Sequence, residues 1–353
     1  MTGFISYDSI ITAMTAGKQR DAIFSKTTPT MTANLFYSTW SLVGIPTAGL
    51  FQAAGLTSRS IDSSVQGAMG FGAAAVAHQL FMTGVGASIG AATGPHVMYL
   101  IDRLGDLGSV TWAAASGGAF SALTLPRYAS AATTITNSGR ASNVATITTS
   151  AAHGYEVGFA VTPACVTNTG LNPASNTQVA ITSVPTTSSF TYVSVGGDVA
   201  PSADTGSVVD CQGVQVFLEV AATIGATTPT AVLTYTNQSG TGGRVTGNIA
   251  MGAVTVGCLQ SGSFFVPLQA GDTGVRSVES IAITGTTTGT VTVVFAKPIT
   301  MLPTSAGAYV ERDMVLQTPK MFQLRDSAAL QWVYMSGLAT AGNISGLLSA
   351  VEP

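Results

Sequence analysis

Charge is what this 353-residue chain has least of: 13 Lys and Arg with 16 Asp and Glu make up 8% of its residues, against about 25% in an average soluble domain. A groove that follows a phosphate backbone needs clustered basic residues. The net charge is −3, and Arg127, Arg140, Arg244 and Arg276 read as separate surface or turn residues, so no nucleic-acid partner is expected. Cysteine is scarce too. Cys165, Cys211 and Cys258 form no CxxC pair and, being odd in number, no disulfide framework; they read as small buried apolar residues in a reducing compartment. His78, His96 and His153 lie too far apart for a sequence-local metal site. A GxSxG elbow is missing, and Gly84-Val-Gly86-Ala-Ser-Ile-Gly90 misses the dinucleotide-binding spacing by one residue. Asp102 and Asp106, with Arg103 and Gly105 between them, read as a turn or a solvated face. No catalytic, cofactor-binding or metal-binding residue is assigned, and a non-enzymatic chain without cofactor is expected. The start, MTGFISYDSI, lacks the basic and apolar regions of a signal peptide, which reads as a chain kept in a cytoplasm until it is assembled.

What fills the chain instead is Ala, Gly, Thr and Ser, with 46% hydrophobic residues and 40 glycines. Disordered segments are rich in charge and poor in apolar residues, so this chain folds. Its surface must be largely neutral, and few ions need to be stripped of water when two such surfaces meet. The composition favours assembly with copies of itself. Residues 63–101 carry no charged side chain. Their repeated glycines and lack of a basic flank argue against a membrane helix. They read as a Gly/Ala-rich contact segment, closely packed or threaded between neighbouring subunits.

Along the chain, Tyr7 to Phe24 reads as a short helix and Leu35–Leu42 as a strand ending at Gly44-Ile45-Pro46. Residues 131–208 change character: Val144–Thr148, Phe159–Val161, Val179–Val184 and Phe190–Val193 are short strands separated by turn residues, the pattern of a small barrel. Further on, Val214, Val216, Leu218 and Val220 alternate with polar positions. Ala231–Tyr235, Phe264–Leu268, Ser280–Thr284, Val291–Phe295 and Ala329–Met335 follow as strands before a Gly- and Ser-rich tail. The expected fold is mainly β: a β-sandwich body (1–130 with 209–353) with short N-terminal helices and a small β-barrel inserted at 131–208.

The alternating Val144/Thr146/Thr148, the Ala152-His153-Gly154 turn with Val157-Gly158, and the closing Ser189-Phe190-Thr191-Tyr192 resemble a small β-barrel found in tailed-bacteriophage structural proteins. That barrel is related to the one in the first catalytic-cysteine half-domain of ubiquitin-activating enzymes. The match covers about a fifth of the chain and departs from the pattern at Tyr155, where Leu is usual, and in a Pro- and Asn-rich middle loop. Leu35–Trp40 with Gly44-Ile45-Pro46, and Leu233–Gly240, are similar to stretches of phage particle proteins. The resemblance implies a virion structural protein assembled in the host cytoplasm: a capsid cement, decoration or minor capsid protein contacting the major capsid protein and its own copies, with no membrane partner. The alternative it implies is a tail, adaptor or fibre component whose barrel is a spacer or binds carbohydrate.

Overall fold

The computed structural model describes residues 7–74, 79–90, 95–112, 117–123, 125, 127–128, 134–153, 155, 157, 159–174, 178–209, 211, 213–225, 229–252, 254–260, 263–285, 288–305, 307–315, 323–337 and 341–352. As expected, the fold is mainly β. One short helix, α1 (Tyr7–Ala13), runs into a π turn (Met14–Lys18) and stops. The helix expected through Phe24 ends here because Gly17 sits at φ +76°, a left-handed conformation that helices do not continue through. After it, burial alternates: Phe24, Lys26 and Thr28 face inward while Ile23, Ser25 and Thr27 are exposed, the period of a strand.

The strands that follow are β1 (Gln19–Thr28), β2 (Phe36–Ser38), β3 (Gly44–Ile45), β4 (Ser58–Ser60), β5 (Gln79–Ile89), β6 (Pro95–Thr111) and β7 (Gly118–Ala119). A second group comprises β8 (Ile135–Ala141), β9 (Val144–Thr149), β10 (Ala160–Ala164), β11 (Val179–Thr186), β12 (Ser189–Val193), β13 (Val199–Ala203) and β14 (Ser207–Val209). The third comprises β15 (Gln215–Ala222), β16 (Thr230–Asn237), β17 (Arg244–Val245), β18 (Ile249–Ala250), β19 (Val275–Thr284), β20 (Thr290–Ser305), β21 (Tyr309–Asp313), β22 (Gln323–Arg325), β23 (Leu330–Ser336) and β24 (Gly342–Val351).

Three sheets make the body. A terminal sheet runs β21-β5-β24-β1-β3, with β22 also on β5; a central sheet runs β15-β20-β6-β23-β2, with β4 also on β6; a side sheet runs β17-β16-β19-β7, with β18 on β16. Their facing sides share one apolar core: Val85 and Leu348 come from the terminal sheet, Leu100 and Trp332 from the central one, and Leu233 and Ile281 from the side sheet. The central sheet is buried on its other face as well. There Ile101, Phe217, Val294 and Val333 lie under Phe264. Phe264–Leu268, expected as a strand, is a loop that plugs this face, with Phe264 stacked on Phe36 at 5.4 Å between ring centroids.

One expected strand shortens at this level. The run expected over Leu35–Leu42 is a strand only at Phe36–Ser38. The uncharged stretch 63–101, apart from the part outside the described residues (His78 included), is packed within its own chain: β5 is flanked by β24 and by β21 and β22, and β6 by β20 and β23. Gly67 there approaches the Gly49 backbone closely, while Gly86 lies under Tyr309 on the outer face of its sheet. The Gly- and Ser-rich tail, left without an element in the sequence reading, is β24, paired with β1 over ten residues.

Residues 134–209 form a sheet of their own, ordered β13-β8-β9-β12-β11-β10-β14. β13 and β14 are successive pieces of one stretch, one on β8 and the other on β10. A Thr134–Ser207 bridge and an Ile135 N–H bond to the Gly206 carbonyl (2.8 Å) close the sheet on itself. Inside sit Ile147, Val161, Ile181, Phe190 and Tyr192. Bridge partners Thr134 and Ser207 put the chain's way into the barrel beside its way out.

Candidate functional site

The few charges are placed deliberately. Among the described residues ten charged side chains are buried, and six charged groups join in a network at the central sheet. β6 carries an irregularity between its Gly105↔Phe295 and Arg103↔Ala296 pairings. The extra residue, Leu104, lets Arg103 and Asp106 project from one face although they are three apart. Arg103 donates to Glu219 on β15 (2.6 Å), to Asp106 (3.2 Å) and to Gln331 (3.2 Å). Its guanidinium lies 4.3 Å from the Trp40 ring centroid. Arg59 from β4 closes on Asp106 with two bonds, 2.6 and 3.1 Å. Arg127 grips Asp102 through Nε (2.9 Å) and Nη2 (2.7 Å), while the Ala329 N–H donates to the same carboxylate.

Three guanidinium groups and three carboxylates balance here. Asp102, Arg103, Asp106 and Glu219 are 0% exposed. The expectations of a solvated face at Asp102/Asp106 and of a surface position for Arg127 are therefore corrected: a bulged strand interior holds the first two and a bidentate buried pair holds the third. Burial raises the Glu219 carboxyl, with Arg103 opposing it. Burial also works against the Arg127 charge, but Asp102 beside it carries the net shift upward. Every carboxylate already has a cationic partner and none reaches solvent, so the network locks strands together and offers no acid or base to a substrate.

Several other chemically capable groups are also held by neighbours. All three cysteines are buried and outside any disulfide, and burial pushes the Cys165 thiol up to about 11 and that of Cys258 to about 12, far from thiolate reactivity. His153 is buried in its turn; it stacks on Tyr155 at 4.8 Å, its Nδ1 accepts the Tyr155 N–H (2.9 Å), and burial lowers its pKa. Arg244 pairs with Asp272 at 2.9 Å. Arg140 ties the far loops of the barrel together through the carbonyls of Gly170, Val195 and Gly197. Among the described residues no three His, Cys, Asp or Glu stand together as metal ligands, and no helix is long and apolar enough to cross a membrane.

Much of what the terminal sheet presents outward is apolar or small and polar, with a few acids among it. Opposed residues of the terminal sheet give its outer face in rows: Ile23, Leu347, Gly86 and Glu311 in one, and Ile45, Ser25, Ser345, Ser88 and Tyr309 in the next. Ile23 is 70% exposed, Ile45 61%, Tyr309 54% and Leu347 36%. At the far end of the barrel Val144, Val193 and Val195 are exposed. Sequence reasoning missed the face because Ile23 had been placed in a helix and Leu347 in a tail without structure.

No family model matches the chain, and no curated protein matches it. Among solved structures, it aligns with the VP2 protein of infectious bursal disease virus. A mutant VP2 in derived T=1 particles aligns at 9% identity over 95% of this chain and 77% of that one, with a TM-score of 0.16. A VP2 subviral particle aligns at 9% identity over 80% and 84%, with a TM-score of 0.15. At these scores the likeness to a viral capsid protein carries no argument.

Proposed function

We infer that this chain is a non-enzymatic structural protein of a virus particle, one that packs against copies of itself and neighbouring shell proteins. The observation that carries the reading is the distribution of charge. A chain with so few ions buries a third of them and leaves sheet and barrel surfaces of low charge outside, where a soluble monomer keeps a charged, mixed surface. Such faces associate with little desolvation cost. The enclosed thiols, imidazole and carboxylates support a role without catalysis or cofactor.

The barrel resemblance extends the reading to a tailed phage and to a cement, decoration or minor capsid protein that staples major capsid subunits. The valines at the barrel tip suit protein contact better than carbohydrate, which stacks on aromatic rings, and this favours the head over a glycan-binding fibre. Quantitative mass spectrometry of gradient-purified particles tests it. The chain should be present at fixed stoichiometry to the major capsid protein and co-purify with heads after tails are removed. Its absence from purified particles would overturn the reading, and recovery with tails alone would overturn the placement on the head.

A further inference from the structure

We propose that the outer face of the terminal sheet is a two-fold interface with a second copy of this chain, deepening the assembly reading on which it rests. The face has a direction along its strands. At one end α1 lies on it, with Ile10 and Ala13 packed against Phe81 and Val351. Next comes an acidic row, Asp21, Ser349, Gly84 and Asp313, then the Ile23 row, then the Ser25 row, and finally Thr27 opposite Asn343.

Two consecutive rows complement each other. The Ile23–Leu347 row is a ridge. The Ser25–Ser345–Ser88 stretch beside it is low, walled by Ile45 at one end of the row and Tyr309 at the other, and the Ser88 and Ser345 hydroxyls already engage each other at 3.3 Å. A two-fold axis crossing the strands between these rows seats each copy's ridge on its partner's serines, the reciprocal pattern of an isologous contact. Tyr309 lies across Gly86, where any Cβ would overlap its hydroxyl, so its ring lies flat beside the ridge as a broad apolar surface of the kind that anchors interfaces.

The same axis places each acidic row over the partner's Thr27 row, so the Asp21 and Asp313 carboxylates of the two copies stay at opposite ends, and Glu311 in the Ile23 row leans toward Gly84 on that acidic side. It also sets each α1 beyond the open end of the other sheet. Any arrangement that keeps the strand directions aligned would stack acid on acid and helix on helix. Size agrees: four rows on β1 and β24, three on β5 and β21 and one on β3, spaced ~6.8 Å along and ~4.8 Å across the strands, give roughly 500 Å² per copy, and about 1,000 Å² for the pair is the size at which specific interfaces begin.

The test uses the full chain. Sedimentation velocity should show a concentration-dependent dimer, weakened at least tenfold by Ile23→Asp with an unchanged far-UV spectrum and melt, whereas Val195→Asp at the barrel tip should leave it intact. Because the three native cysteines are buried, Ser345→Cys treated with a short bis-maleimide should cross-link to dimer, and Val195→Cys should not. A monomeric wild-type chain, or a dimer indifferent to Ile23→Asp that Ser345→Cys fails to capture, would overturn the interface. Failure of the broader reading looks different. A dimer disrupted by Ile23→Asp in a chain absent from purified particles would keep the interface and reject the virion role; stoichiometric particles built with Ile23→Asp, showing no loss of dimer, would do the reverse.

Discussion

Asp102 and Arg127 form a buried pair held by two parallel bonds, so each is an uncompensated charge without the other. Asp102→Asn or Arg127→Met alone should destabilise the chain by about 3–5 kcal/mol, and an apolar replacement of both together by much less; urea unfolding of the two singles and the double measures this. Asp204 in the barrel behaves differently with pH. Burial would raise its carboxyl, but the Ser138 hydroxyl and the N–H groups of Val166, Thr167 and Asn168 outweigh burial and hold it below the usual carboxylate range. Its contribution is therefore complete above the unfolded value of about 3.9 and is lost as pH falls below it. Glu219, raised by burial, has the opposite sign: the folded state takes up its proton first, so this group adds stability as pH falls through its folded value. All three tryptophans, Trp40, Trp112 and Trp332, lie in the body. Tryptophan fluorescence should report the body while tyrosine and far-UV signals lose the barrel first in acid, a difference that Asp204→Asn should flatten. The sequence gives little warning of these roles. Asp102, Arg103 and Asp106 interrupt an apolar run, but the bulge at Leu104 that puts the last two on one face breaks the period by which strands are read.

The elements that were legible are those with strict alternation and branched side chains, such as Val144–Thr149, Gln215–Ala222 and Leu330–Ser336. Those that were missed are built of small polar residues: Ile135–Ala141 (ITNSGRA), Val199–Ala203 (VAPSA) and Gly342–Val351 (GNISGLLSAV). Their strand character comes from partners distant in sequence, which no local pattern records. The converse error, a strand at Phe264–Leu268, arose because a loop that plugs a sheet is as apolar as a strand. Two predictions belong at this scale. Replacing 134–207 with a short Gly-Ser bridge should leave a body with a cooperative tryptophan-detected melt, because Thr134 and Ser207 are already neighbours and insertions with adjacent ends are tolerated. Removing 342–351 should abolish that melt, because β24 is the strand that joins β1 to β5.

For the whole molecule, burying a third of the charges leaves few for contact with others, and the proposed assembly then has a testable salt dependence. Association through neutral sheet faces should change less than threefold between about 0.05 and 0.5 M salt, a range over which contacts between exposed charges are screened away; sedimentation across that series distinguishes the two. The pairing of β1 with β24 has a further effect in time. Residue 19 leaves the ribosome more than three hundred residues before its partner, residue 351, and the terminal sheet stays split until that partner emerges. The surface proposed to meet a second copy is thus withheld from each nascent chain until residue 351 has emerged, however many are being translated side by side on one message.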